Sequence, residues 1–166
     1  MRVGMRERFF VWAASLSLAL SASSALASDE NKIAAAPDKI HAMVLIRSTF
    51  GTVNDANLTS NYSVLRDSGS PEFRATFSTE RLAATFQILR ERKIDLALLA
   101  VLEPVVEAAI LKPELNVIQF EGHVPTTPDQ IRFKFSYQFI EGRWKVCGVD
   151  IKIQPPGSPP IIHGSS

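Results

Sequence analysis

From Ile131 to Phe139 the chain reads Ile-Arg-Phe-Lys-Phe-Ser-Tyr-Gln-Phe, with every odd position large and apolar and every even one polar. Side chains of a β-strand point alternately to its two faces, so this period of two gives a strand with one greasy and one wet face. A face built from an isoleucine, three phenylalanines and a tyrosine needs a second layer to cover it. Glu141-Gly142 then separates this run from Arg143-Trp144-Lys145-Val146, and the glycine can take the positive φ of a tight hairpin turn. The stretch from Pro128 to Ile153 therefore reads as a long β-hairpin. After Val146 the alternation slips by one at Cys147-Gly148-Val149. Trp144 and Val146 share a face with Val149, Ile151 and Ile153 only if an extra residue is accommodated at Gly148, which is the mark of a β-bulge. A bulge bends a sheet, and the concave side of a bent sheet would form the floor of a cone-shaped pocket.

At 166 residues the chain is long enough for one self-sufficient core and too short for two ordinary domains. Its N-terminus reads differently from the rest. Arg2, Arg6 and Arg8 precede an apolar run from Phe9 to Leu20, and Ala25-Leu26-Ala27 follows as a small-x-small site. Those parts match a secretory signal peptide over residues 1–27, cleaved after Ala27, and give a periplasmic or secreted protein. The competing reading is a membrane anchor, for which the run falls short of the roughly 20 residues that span a bilayer. Without residues 1–27 the chain keeps 15 basic and 16 acidic residues, a net charge of −1. Such a domain, with no basic cluster, lacks the electrostatic footprint of a nucleic-acid binder. Cys147 is the single cysteine, so no intramolecular disulfide supports the fold, and its place on a strand suits a buried, inert thiol.

Taken in order, residues 28–37 read as a linker and Pro37 as the opening residue of a first helix, whose stripe is Met43, Ile46, Phe50 and Val53. A second helix carries Leu58, Tyr62 and Leu65 and stops at Asp67-Ser68-Gly69-Ser70-Pro71. Phe73 and Phe77 lie on a short segment before Ser78, which caps a third helix from Thr79 to Lys93 with Leu82, Phe86 and Leu89 inward. Leu96 to Leu102 is apolar throughout and fits either a strand or a buried helical turn. Val105-Val106 with Ala108 to Leu111, then Leu115 to Val124, give two more strands, the second turned into the hairpin by Pro125-Thr126-Thr127-Pro128. Residues 154–166, rich in proline, glycine and serine, read as a disordered tail. The expected fold is α+β: N-terminal helices packed on a curved antiparallel sheet of about four strands, one domain over residues 38–153.

The order of elements, together with Glu141-Gly142-Arg143-Trp144-Lys145-Val146-Cys147-Gly148-Val149, resembles the nuclear transport factor 2-like superfamily. More narrowly, Asn61-Tyr62-Ser63-Val64-Leu65, Phe77-Ser78, Phe86, Ile94-Asp95-Leu96, Glu103-Pro104 and Gly122 with Thr127-Pro128 are similar to a group of small exported bacterial proteins of unassigned function. The likeness covers about Asp38 to Ile153. It implies a cone with an apolar pocket between helices and sheet, dimerisation through the sheet, and either an enzyme or a non-catalytic binding or assembly domain.

The candidate ligand-binding residues are Tyr62, Phe133, Phe135, Tyr137 and Trp144, an aromatic lining with no acid or base placed on it. The expected ligand is small and apolar, or a protein partner, and a homodimer through the sheet is the expected self-association. An alternative is an isomerase, dehydratase or cyclase using Tyr62, Glu121 and His123. That alternative needs Gln119, Glu121 and His123 to point into the cone, whereas alternation with Ile118, Phe120, Gly122 and Val124 turns them out. Asp150 likewise falls opposite Val149 and Ile151. A further alternative is a structural dimer whose pocket is filled by its own side chains. His41, His123 and His163 are dispersed, so no metal site is expected, and no glycine-rich phosphate loop or other cofactor motif occurs.

Overall fold

A computed structural model of the chain describes residues 35–157. The expected signal peptide (1–27), most of the expected linker and residues 158–166 of the expected tail lie outside the described residues. Five α-helices precede four strands: α1 (Lys39–Thr59), α2 (Ser63–Asp67), α3 (Pro71–Thr76), α4 (Thr79–Thr85), α5 (Gln87–Glu91), then β1 (Val105–Lys112), β2 (Val117–Val124), β3 (Gln130–Ile140) and β4 (Arg143–Gln154). The strands form one antiparallel sheet in the order β1-β2-β3-β4. No described helix is long and apolar enough to cross a membrane.

The hairpin forms as its sequence requires. Ile140 pairs with Arg143 across a two-residue turn in which Glu141 and Gly142 both have positive φ, 52° and 75°. Those angles fit the turn whose twist matches that of the two strands. The pairing slips between Ser136, opposite Gly148, and Tyr137, opposite Val146, so the extra residue is Cys147 and not the expected Gly148, which stays in the ladder. The bulge puts Trp144, Val146, Val149, Ile151 and Ile153 opposite Phe139, Tyr137, Phe135, Phe133 and Ile131 on one apolar face. On β2 the same face carries Ile118, Phe120, Gly122 and Val124.

Helix α1 covers that face. Ile46, Phe50 and Val53 are buried, and the Phe50 ring stands edge-on to Phe133 and Phe135, with centroids 5.5 and 4.8 Å apart. Asn54 spends its buried side chain on the backbone, accepting the Leu96 N–H at 3.1 Å where a 3-10 turn, Leu96–Ala100, leaves the helical layer. That turn settles the undecided apolar run after Ile94 as helical.

Several boundaries differ from the sequence reading, each for a local reason. Helix α1 begins at Lys39 because the Asp38 carboxylate accepts the His41 N–H at 2.8 Å, which leaves Pro37 outside the helix. The helix also runs on to Thr59, so Leu58 belongs to α1 and is exposed, while Tyr62 stands immediately before α2. Phe73 lies within α3. The expected Thr79–Lys93 helix divides at Phe86, whose ψ of 13° is not helical, into α4 and α5. Strand β2 starts at Val117, two residues after the expected Leu115, because Pro113–Leu115 makes a 3-10 turn ending in a left-handed Asn116. Strand β4 stays paired through Gln154, one residue beyond the boundary read from composition.

Strand β1 has its own slip, between Val106 and Ala108, which leaves Glu107 as the extra residue. Opposite it, Gly122 lies so close to β1 that a Cβ would stand 2.0 Å from the Val105 carbonyl oxygen and 3.0 Å from the Phe133 ring. Neither neighbour is the free end of a flexible chain. Gly122→Ala should therefore lower stability by about 1–3 kcal/mol in urea unfolding, the usual cost of overpacking, whereas Gly51→Ala, which meets nothing, should not.

Candidate functional site

The aromatic candidates are packed into the core and do not line an open hollow there, save at one small cavity. Phe133, Phe135, Tyr137 and Tyr62 are at most 2 % exposed, and Trp144 is half-buried. The Tyr137 hydroxyl is used inside the core, donating to the Leu45 carbonyl at 3.0 Å and lying 2.8 Å from Thr49 Oγ1. Burial keeps that phenol protonated, raising it well above the usual tyrosine range. Tyr62 sits farther off among the helices, stacked on Phe86 with ring centroids 6.2 Å apart. Its hydroxyl donates to Asn57 Oδ1 at 2.6 Å and accepts from the Arg90 guanidinium, which also lies over its ring. Burial raises the Tyr62 phenol, with Arg90 opposing the shift.

Two of the five aromatic candidates border an open space. A small cavity of about 170 Å³ lies between α1 and β4, with Thr49, Thr52, Tyr137, Trp144 and Val146 on its walls. A larger groove of about 530 Å³ opens elsewhere, at the start of α1 and beside the inner face of β1. Met43 and Ala42 form its helical side, Val106 and Ala109 its sheet side, and Phe120 its base. Lys39 and Glu103 stand at its mouth with Nζ and Oε1 4.0 Å apart, both well exposed, so their attraction is weak. The sequence reading missed this groove. Its signal was the pair of neighbouring apolar residues Val105-Val106 after Pro104, too short a run to reveal which face α1 leaves bare.

On the other face of the sheet the even positions of β3 meet charged partners. His123 pairs with Arg132 and Glu121 with Lys134 across the β2–β3 ladder. His123 Nδ1 is 2.8 Å from Glu107 Oε1, and Arg132, buried although its strand position faces outward, holds Glu107 through both guanidinium nitrogens. Burial raises the Glu107 carboxyl, but the hydrogen bonds from Arg132 and His123 and their charges outweigh it and hold the group below the usual glutamate range. A groove of about 410 Å³ runs beside this cluster, edged by Thr126, Thr127 and Gly157. Lys134 lies 3.1 Å from Glu121, and Lys152 3.6 Å from Asp150.

The three residues of the enzyme alternative are thus not gathered. Glu121 and His123 occupy the outward face of β2, and Tyr62 lies among the helices on the inward side. Asp150 pairs opposite Lys134 on the outward face. Glu107, which does meet His123, was invisible to alternation because a bulged residue leaves the period of two. Among the described residues no three His, Cys, Asp or Glu side chains are grouped as a metal site. Cys147 is partly buried on β4, and burial pushes its thiol up to about 11, so little of it is thiolate at neutral pH.

No family model, no curated protein and no solved structure matches this chain.

The Glu107 cluster generates a test. A carboxylate with a lowered folded-state pKa contributes stability that is present above its unfolded pKa, near 4.3, and lost as pH falls through the folded value. Glu107→Ala, which strips Arg132 of this carboxylate, should cost about 1.5–3 kcal/mol in urea unfolding at neutral pH. The difference from the parent chain should shrink as the pH is lowered below the usual glutamate range.

Proposed function

We propose that this chain is an exported, non-enzymatic binding domain of the nuclear transport factor 2-like type, and that its ligand sits in the groove between the start of α1 and β1. The carrying observation is the groove itself: about 530 Å³, apolar on both sides and at its base. That volume lies within the roughly 300–1,000 Å³ of small-molecule pockets. The residues that resemblance pointed to serve as its support. Phe133 and Phe135 fix the position of α1 through Phe50, and Phe120, whose cross-strand partner is Phe135, passes that constraint to the groove's base. Tyr137 and Trp144 border the smaller cavity instead, away from this groove. Lys39 and Glu103 place one cation and one anion at the mouth, so the polar end of an apolar ligand meets a mixed pair and not a net charge.

Export rests on the N-terminal sequence pattern, and the non-catalytic reading on the separation of Tyr62 from Glu121 and His123 by the sheet. The test is calorimetric titration with decanoate and decanol as probes. Saturable binding of both is expected, and its loss in Ala109→Trp, which fills the groove from an exposed strand position opposite Phe120. Equal binding by the parent and by Ala109→Trp, or binding by neither probe, would overturn the proposal.

A further inference from the structure

The two edges of the sheet are finished differently. Strand β4 carries its bulge at Cys147, the Ser70 N–H donates to the Val146 carbonyl at 2.8 Å, and Arg143, Lys145, Asp150 and Lys152 punctuate its length. Bulges, charges and a covering segment are the usual protections of an edge against pairing with another strand. Strand β1 has a bulge at Glu107 and a charge at Lys112, but between them no charged residue and no covering segment of the described residues protects it. Val105, Val106, Ile110 and Leu111 are 36–43 % exposed, so apolar side chains are bare on both of its faces. None of the loop and turn backbone hydrogen bonds of the described residues reaches it. Its regular ladder runs from Ala108 to Lys112, bounded by the Glu107 bulge at one end and by Pro113, which has no N–H, at the other.

We infer that β1 pairs antiparallel with β1 of a second copy about a two-fold axis through Ile110, joining the two sheets edge to edge. An axis normal to the sheet keeps like faces together and requires each residue to meet one of the same face. The bounds on the regular segment put its centre at Ile110. Ile110 then meets its counterpart, Ala109 meets Leu111, and Ala108 meets Lys112, so small side chains oppose large ones. Lys112 of each copy comes beside Glu107 of the other, whose carboxylate also holds Arg132 and His123 of its own copy.

The inference does not require a ligand in the groove, and where the family resemblance implies a dimer through the sheet it assigns the contact to the β1 edge and not to the outward face. That face satisfies its charges within one copy, through Arg132 with Glu107, Lys134 with Glu121 and Lys152 with Asp150, and burying such pairs costs desolvation without new partners. The edge offers unpaired backbone groups and apolar side chains instead. In the pair, Leu111 of the second copy stands beside Ala109 at the rim of the ligand groove.

The chain expressed from its full-length sequence should sediment as a dimer, and Ile110→Lys, which sets two ammonium groups across the axis, should halve the mass while leaving the circular dichroism spectrum unchanged. In a Cys147→Ser background, Ile110→Cys should cross-link to a dimer with a short bis-maleimide, and Lys134→Cys on the sheet face should not. A monomer at all concentrations, a dimer unaffected by Ile110→Lys, or cross-linking through Lys134→Cys in preference to Ile110→Cys would overturn the assignment, as would a parent chain that pairs only with a different protein.

Discussion

The ring of Phe50, edge-on to Phe133 and Phe135, is the aromatic contact that seats α1 on the sheet. A buried phenylalanine is worth about 3–5 kcal/mol against alanine, a large share of a domain's stability of roughly 5–15 kcal/mol. Edge-to-face geometry also sets distance and angle more narrowly than aliphatic contact does. Because those rings meet α1 directly, they occupy the hollow that a cone would otherwise leave open. A larger groove opens where α1 begins and β1 ends the sheet, and both functional proposals concern that margin.

The outward face depends on a different balance. Arg132 is buried on the side of the sheet that alternation assigns to water, and a guanidinium there is tolerable only with a carboxylate held against it. Glu107 reaches it because a bulge turns that residue out of the β1 ladder, and Gly122 lets β1 come close enough for the bulge to form. One glycine without a side chain thus links the apolar core, through Phe133, to the ion cluster on the opposite face.

Much of this was legible in the residues. The period of two in β3, the turn at Glu141-Gly142 and the slip after Val146 carried enough local information to define the hairpin and its bulge. The same period placed His123 and Asp150 outward. The bulge of β1 at Glu107 was not legible in the same way, because a residue that leaves the period of two carries no mark of the face it joins. What the sequence could not carry was tertiary: that α1 would run unbroken past Leu58 to Thr59, that Phe50 would plug the space beneath it, and that the inner side of β1 would be left uncovered. Each depends on how long one helix is and where it crosses the sheet, which spacing along the chain does not encode.

The most direct test of the account is methyl-resolved NMR of the chain during titration with decanoate. The account predicts progressive shifts at Met43, Val105, Val106 and Ala109, with Ile46 and Val53 beneath the ring cluster unmoved. Shifts concentrated at Ile46 and Val53, with the β1 methyl groups unchanged, would show that the hollow opens to ligand and that the rings line it rather than fill it.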